Sequence, residues 1–356
     1  MIIRYDMAAY KPDFDPNAPG VENGCYFGLP FTPEESSLVL MSVPWDVTTS
    51  YREGTAQGPW AIVEASLQVD LYDLHNPQGW QRGIGTLEPD DTLELRGKRL
   101  REDALRVIEH WQSGATAAGE SVQRKIRRVN EGSERLNREV YAEASRWLDA
   151  GKKVGLVGGD HSVPLGLIRA VAERNPGLGI LHVDAHADLR EAYEGFVYSH
   201  ASIMYNVLRE APGVAQLVQV GVRDLCDAEM ALASADPRVT MFDDYALGAA
   251  KFAGESWDAV CRRIVDRLPE KVYVSFDIDG LSPDNCPHTG TPVPGGLSFA
   301  EAVYLLGRVV ASGREVVGFD LCEVSPAPGG TDDWDANVGA RMLYKLCNFA
   351  LMPAAR

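Results

Sequence analysis

Asp184, His186 and Asp188 stand at alternate positions in the stretch "DAHAD", directly after the apolar run "LGILHV". A strand entering a core has no packing use for three such side chains at its end. Carboxylates flanking an imidazole do suit a divalent cation or proton transfer. The arrangement recurs along the chain. "GGDHS" follows "KVGLV", "DID" follows "KVYVSF" and "DLCEVSP" follows "EVVGF". Each cluster sits at the carboxyl end of a strand-like run, where open parallel sheets bind ligands. The expectation is that separate strands bring Asp160, His161, Asp184, His186, Asp188, Asp277, Asp279 and Glu323 to one edge.

So many carboxylates cannot ionise side by side without positive charge among them. Two divalent cations would supply it. Carboxylates mixed with imidazoles suit Mn²⁺, Ni²⁺, Fe²⁺ or Zn²⁺ rather than Ca²⁺. Two such ions about 3.5 Å apart can share bridging carboxylates and activate a water near neutral pH. Blander readings exist for each motif alone: a lone D-x-D is commonly a turn or a helix cap. The combination of three such motifs, all at strand ends, makes that reading implausible. His182, inside the apolar run, reads as a hydrogen-bonded core histidine. His75, His110 and His288 show no partner pattern and receive no role.

The elements that must position these residues follow from periodicity. "LVLMSVP", "KVGLV", "LGILHV", "AQLVQVGV", "KVYVSF" and "EVVGFD" read as strands. "GPWAIVEAS", "ERLNREVYAEASRWLDAG", "VPLGLIRAVAERN", "HASIMYNVLRE", "ESWDAVCRRIVDRL", "FAEAVYLLGRVVAS" and "DANVGARMLYKLCNFALM" read as helices. Near-continuous apolar strands alternating with helices predict an α/β fold with a parallel sheet covered on both faces. One domain is expected over 1–356. Residues 1–33 read as an extended arm, and 76–130 as an insertion with one helix around "REDALRVIEHW".

Bulk properties set outer bounds. The chain has 356 residues, 45% of them hydrophobic, enough for a large core. Its formal net charge of −17 disfavours nucleic acid and is compatible with a cationic small molecule. No apolar run approaches a membrane span, and the start "MIIRYDMAAYKPDF" lacks a signal-type apolar stretch. The six cysteines are scattered without a C-x-x-C pair. A reduced, cytoplasmic location with no membrane partner is expected.

Taken together, "GGDHS", "DAHADLR", "SFDIDGLSPDNCPHTGTPVPGGLS" and "EVSP" resemble the ureohydrolase family, that is arginase, agmatinase and their relatives. The resemblance runs from about Leu38 to the C-terminus, and 76–130 departs from the shorter agmatinases. It implies a three-layer αβα fold with a mainly parallel central sheet. It also implies hydrolysis of a guanidino group to urea at two divalent metal ions, usually Mn²⁺ and in some members Ni²⁺. Carried over, His161 and Asp188 would bind one ion, His186 and Asp279 the other, and Asp184 and Asp277 would bridge. Glu323 would pair with the substrate guanidinium, and His200 in "YSHASIM" would shuttle a proton to the leaving amine. Asp188 could also accept a hydrogen bond from the nucleophile.

The loop "LREAYEGFVYSH" lacks the Asn- and Ser/Thr-rich character of arginase, which favours an agmatinase-like or guanidinase-like branch. Glu194 could face a substrate amine, and Tyr193, Phe196, Tyr198 and the Trp residues could narrow the pocket. A small guanidinium compound is thus the expected partner, agmatine-like or guanidine itself, within a homo-oligomer that the resemblance implies is a trimer or hexamer. Guanidinobutyrate or an alkylguanidine is the alternative substrate. A metal-dependent deacetylase and a catalytically silent partner subunit are the alternative classes.

Overall fold

The computed structural model describes residues 11, 13–88, 90 and 92–352 of the chain. Part of the expected N-terminal arm, residues 1–10 and 12, lies outside the described residues. Among the described residues, eight strands form one sheet: β1 (Leu38–Val43), β2 (Ile84–Thr86), β3 (Lys153–Gly158), β4 (Leu178–Val183), β5 (Val214–Val220), β6 (Val239–Phe242), β7 (Lys271–Asp277) and β8 (Glu315–Cys322). Their order is β2-β1-β3-β8-β7-β4-β5-β6, and every neighbouring pair is parallel.

Ten α-helices among the described residues accompany the sheet: α1 (Gly58–Ser66), α2 (Leu93–Gln112), α3 (Glu120–Asp149), α4 (Leu165–Arg174), α5 (Ile203–Glu210), α6 (Asp227–Ala235), α7 (Asp244–Phe252), α8 (Trp257–Val265), α9 (Phe299–Ala311) and α10 (Trp334–Leu351). The strands are buried on both sides because their alternate residues feed two separate cores. Leu38 and Leu40 of β1 join one core with α1, α8, α9 and α10. Val39 and Met41 of the same strand join the other with α2, α3, α4 and α5. This period-2 division is what makes a three-layer αβα architecture from uninterrupted apolar strands.

Two parts of the sequence reading change. The segment 76–130 is not a loosely structured insertion with one helix. It contributes edge strand β2, all of α2 and the first turns of α3, which begins at Glu120 rather than near Glu134. The buried Asp103 of α2 ties this helical hairpin together, with Lys125 Nζ at 2.6 Å and Arg128 Nη1 at 2.7 Å. Strands β2 and β6 and helices α6 and α7 were not expected. "IGT" and "VTMF" are too short to show a period, and all four residues of β6 are only half-buried.

The order of strands places β3, β8, β7 and β4 side by side at the centre. Their carboxyl ends carry the polar clusters, although these lie far apart along the chain, at 158–161, 184–188, 277–279 and 323.

Candidate metal centre

Each cluster is delivered by the strand before it. Beyond β3 the chain keeps pairing for two residues: Gly159 N donates to Val43 O at 3.0 Å and Asp160 N to Trp45 O at 2.8 Å. Gly159 must lack a side chain, because a Cβ there would lie 2.1 Å from Trp45 O. This close approach brings His161 over the end of the sheet. Asp277 is the last residue of β7, and its Oδ1 accepts from Asp279 N at 2.8 Å, which sets both carboxylates around one tight turn. Asp184 Oδ1 likewise accepts from His186 N at 2.6 Å. Asp188 (φ 53°), Glu194 (φ 56°) and Glu323 (φ 65°) adopt left-handed backbone conformations. Such conformations are sparsely populated outside glycine, cost about 1–3 kcal/mol each and gather at functional sites.

The imidazoles and carboxylates converge. His161 Nδ1 lies 2.9 Å from Asp184 Oδ2, 3.2 Å from Asp188 Oδ2 and 3.3 Å from Asp277 Oδ2. His186 Nδ1 lies 3.1 Å from Asp279 Oδ2 and 3.4 Å from Asp184 Oδ1. His161, His182, Asp184 and Asp188 form one group whose potential ligand atoms lie within 4.8 Å of one another. Asp184, His186 and Asp279 form a second such group, so Asp184 is common to both. All of the carboxylates are buried.

Neighbours fix the imidazoles. His161 Nε2 is 2.9 Å from Ser275 Oγ, whose hydroxyl donates to Asp320 Oδ1 at 3.1 Å. That chain leaves Nδ1 turned to the cluster. His182 is a fully buried histidine, as its setting in the strand suggests, and its partner is the cluster itself. Gln219 Nε2 donates to His182 Nδ1 at 3.0 Å, and His182 Nε2 donates to Asp184 Oδ2 at 2.9 Å.

The electrostatics show what the cluster lacks. Burial pushes Asp188 up to about 6, and the charge of Asp184 adds to it. Burial, then Asp279 and Asp184, drives Asp277 well above the usual carboxylate range. Burial would raise Asp184 too, but His182, His161 and His186 outweigh it and hold Asp184 well below that range. Burial opposes charge on His186, yet Asp279 and Asp184 push it up to about 12. Positive charge beside these carboxylates would let them all ionise. Oxygen and imidazole donors in two groups with a common carboxylate fit a pair of divalent cations, which would supply that charge.

Glu323 lies beside this cluster. Its Oε1 accepts from His161 N at 2.9 Å, while Oε2 is buried without a partner. Burial, then the charge of Asp160, pushes its carboxyl well above the usual range. Gly290 faces it, and a Cβ at that position would sit 2.9 Å from Oε2. His288, which the sequence left without a role, accounts for how that loop is held. Its Nδ1 is 2.8 Å from Asp335 Oδ2, and its N donates to Asp335 Oδ1 at 2.9 Å.

A small cavity of about 160 Å³ opens beside the cluster, bordered by His186, Asp188, His200, Tyr193, Asp224 and Glu229 among others. His200 lies against it with Nδ1 unpartnered, Nε2 3.4 Å from Ser50 Oγ and its ring edge-on to Tyr193. Burial first, then the facing His186 and Arg101, pushes His200 down to about 3, so it is neutral at pH 7.

Two sequence expectations are corrected here, for Asp160 and for the aromatics. Asp160 does not join the cluster. Its Oδ2 takes Thr48 N at 3.3 Å and Thr48 Oγ1 at 3.2 Å, and its Oδ1 takes Ser162 N at 3.0 Å. It stitches two strand-end loops together. Of the aromatics expected to narrow the pocket, Tyr193 borders the cavity and, among the described residues, no Trp does; Phe196 is fully buried in the core, and the Tyr198 hydroxyl donates to Glu210. Glu194 is half-buried with Oε2 unpartnered, but it does not border the cavity. Asp224, which the sequence reading passed over, does border it. Its signal was available, because it follows β5 at the same sheet edge in "QVGVRD".

Residues 36–348 match the arginase family model. The chain belongs to the arginase family. It is a metal-dependent ureohydrolase, acting on guanidino C–N bonds. It is 36% identical to an N(1)-aminopropylagmatine ureohydrolase of Thermus thermophilus, over 84% of this chain and 87% of that one. It is 29% identical to an agmatinase of Bacillus anthracis, again over 84% and 87% of the two chains. The fold matches the solved proclavaminate amidinohydrolase of Streptomyces clavuligerus with a TM-score of 0.70 and 24% identity, covering 94% of this chain and 99% of that one. No helix among the described residues of this arginase-family chain is long and apolar enough to cross a membrane.

Proposed function

We propose that this ureohydrolase acts on an agmatine-like alkylguanidine, a cation without an α-carboxylate, releasing urea and an amine. The observation that carries this reading is Glu323 Oε2, a buried carboxylate oxygen with no partner beside the cluster. A guanidinium is the cation whose planar N–H groups pair best with a carboxylate. Asp224 and Glu229 border the cavity together with Arg190, and the net charge of −17 has the sign that suits a cation. The relatives named for agmatine and aminopropylagmatine support the same class.

His161, Asp184 and Asp188, with Asp277, would hold one divalent ion, and His186, Asp184 and Asp279, with Asp277, the other. Manganese is proposed for both, since carboxylate-rich sites with some imidazole suit it, and nickel is the alternative. When bound, the pair supplies a water activated as nucleophile near neutral pH. Glu323 holds the guanidinium carbon over the cluster. Asp188 accepts a hydrogen bond from the attacking water and orients it. As the C–O bond forms, one ring nitrogen of neutral His200 takes up the proton released by the attacking water, and the other gives its proton to the departing amine nitrogen as the C–N bond breaks. Glu194 is proposed to stabilise the substrate ammonium from behind the cavity wall. One sheet carries every residue in this scheme, so we propose that the chain works as one catalytic domain. Its six free thiols suit the cytoplasm, and a homo-oligomer is proposed with it.

The test is a panel scored by urea release after Mn²⁺ loading and separately after Ni²⁺ loading. It comprises agmatine, aminopropylagmatine, guanidine, guanidinobutyrate and arginine. Agmatine or its aminopropyl derivative is expected to give the highest kcat/KM; turnover of arginine with those two inert would overturn the substrate assignment. Glu323→Gln keeps the shape but removes the charge. It is expected to lower kcat/KM at least about tenfold, the equivalent of about 1.4 kcal/mol. Gly290→Ala is expected to act on the same contact by crowding Oε2, raising KM while metal content measured by elemental analysis stays unchanged.

A further inference from the structure

Helices α2 and α3 carry none of the converging carboxylates and imidazoles, yet they reach both loops that enclose His200. From α2, the Arg101 guanidinium donates to Val47 O at 3.1 Å and to Thr49 O at 2.5 Å. Its side chain is only 11% exposed. The loop it grips supplies two contacts to His200. Thr48 Oγ1 accepts from His200 N at 3.2 Å, and Ser50 Oγ lies 3.4 Å from His200 Nε2. Thr48 is itself anchored to Asp160 next to His161.

The second loop, which runs from the end of "DAHADLR" into His200, is held from the same hairpin. Trp111 Nε1 donates to Glu194 O at 3.0 Å, and Asn130 Nδ2 donates to Gly195 O at 3.0 Å. Asn130 Oδ1 accepts from Val197 N at 2.9 Å. The Asp103 ion pairs to Lys125 and Arg128 keep the two helices in fixed relation. The hairpin is thus a brace on both loops, with α2 holding each of them and α3 the second.

We propose that Arg101 is a positioning residue for His200, fixing the backbone at 47–49 so that Thr48 and Ser50 hold the imidazole against the cavity. Both bonds leave one nitrogen, Nη1, which the rigid guanidinium plane aims between the two carbonyl oxygens. The inference rests on the reading of His200 as the proton carrier. Displacing a reacting group by about 1 Å can cost about 10²-fold in rate, so the clamp matters to turnover without touching substrate.

A double-mutant cycle on the Mn²⁺-loaded enzyme tests it, with kcat, KM and metal content measured for each variant. Arg101→Ala is expected to lower kcat on the order of 10- to 100-fold, with KM and metal content held. In a His200→Ala background the same change should produce no further loss of kcat, because the two residues act through one element. Arg101→Lys should recover part of the turnover, and Arg106→Ala, on the solvent side of α2, should match the parent. Additive losses in the cycle, or a fall in metal content parallel to kcat, would overturn the positioning role. Full turnover in His200→Ala would overturn the proton-carrier reading first and this inference with it. If Arg101→Ala does not fold, Arg101→Lys enters the cycle under the same criteria.

Discussion

Asp277→Ala is expected to abolish urea release and to drop metal content from two ions per chain to one or fewer. Asp277 ends a central strand, is buried, and has its Oδ2 3.3 Å from His161 Nδ1. Burial and the charges of Asp279 and Asp184 oppose its ionisation, and cations beside it would favour the carboxylate. In the proposed arrangement it serves both ions, and its removal weakens both at once. Breaking one partner out of a buried ionic cluster costs about 3–5 kcal/mol, because the remaining charges stay uncompensated. Asp277→Asn is the sharper companion variant. It keeps an acceptor for the Asp279 N–H but brings no charge, and is expected to be nearly as inactive. Elemental analysis after dialysis, read beside urea release, checks both. A stable content of one ion per chain with full activity would refute the shared-carboxylate arrangement.

His200→Ala is expected to lower kcat by roughly 10²- to 10⁴-fold, the usual worth of a positioned acid–base group, while leaving metal content intact. The expectation rests on position. His200 borders the cavity beside His186 and Asp188. Its Nδ1 is unpartnered, and the residues holding it are Thr48 and Ser50 rather than the carboxylate cluster. Its depressed pKa, about 3, makes it neutral in the resting enzyme, so it relays a proton and does not store one. The same depression carries a stability consequence. Between about 3 and the unfolded value near 6.5, the unfolded chain binds a proton that the folded chain does not. This contribution to stability is therefore complete above the unfolded pKa and is lost as pH falls through that window. Parallel loss of metal and turnover in His200→Ala would make the residue structural and sink the proton-carrier assignment.

Much of the site was legible because its residues are local to strand ends. "GGDHS", "DAHAD" and "DID" each follow an apolar run, and a parallel sheet places the carboxyl ends of its strands on one edge. His161, Asp184, His186, Asp188, Asp277 and Asp279 needed only that rule to be brought together. Asp160 obeyed the rule and still turned away, because Thr48, more than a hundred residues earlier, offered it two donors. Nothing in "GGDHS" itself marks which of its two polar side chains will face the cluster.

Periodicity likewise determined most strands and helices. It missed β2 and β6, whose runs of three and four residues are shorter than any repeat that could identify them. It also understated the 76–130 segment, where α2 and α3 are strongly charged and cover the sheet with narrow apolar faces.

By itself, then, the sequence determined the chemistry on offer and the edge where it would gather: carboxylates and imidazoles at the ends of buried parallel strands. Only the tertiary structure decided how those groups are held and approached. Arg101 on Val47 O and Thr49 O, Trp111 on Glu194 O and Asn130 on Gly195 O are all bonds to backbone carbonyls of distant loops. Every residue carries the same carbonyl, so no pattern of side-chain types announces such a partner. It emerges when the packed hairpin brings donor and loop within reach.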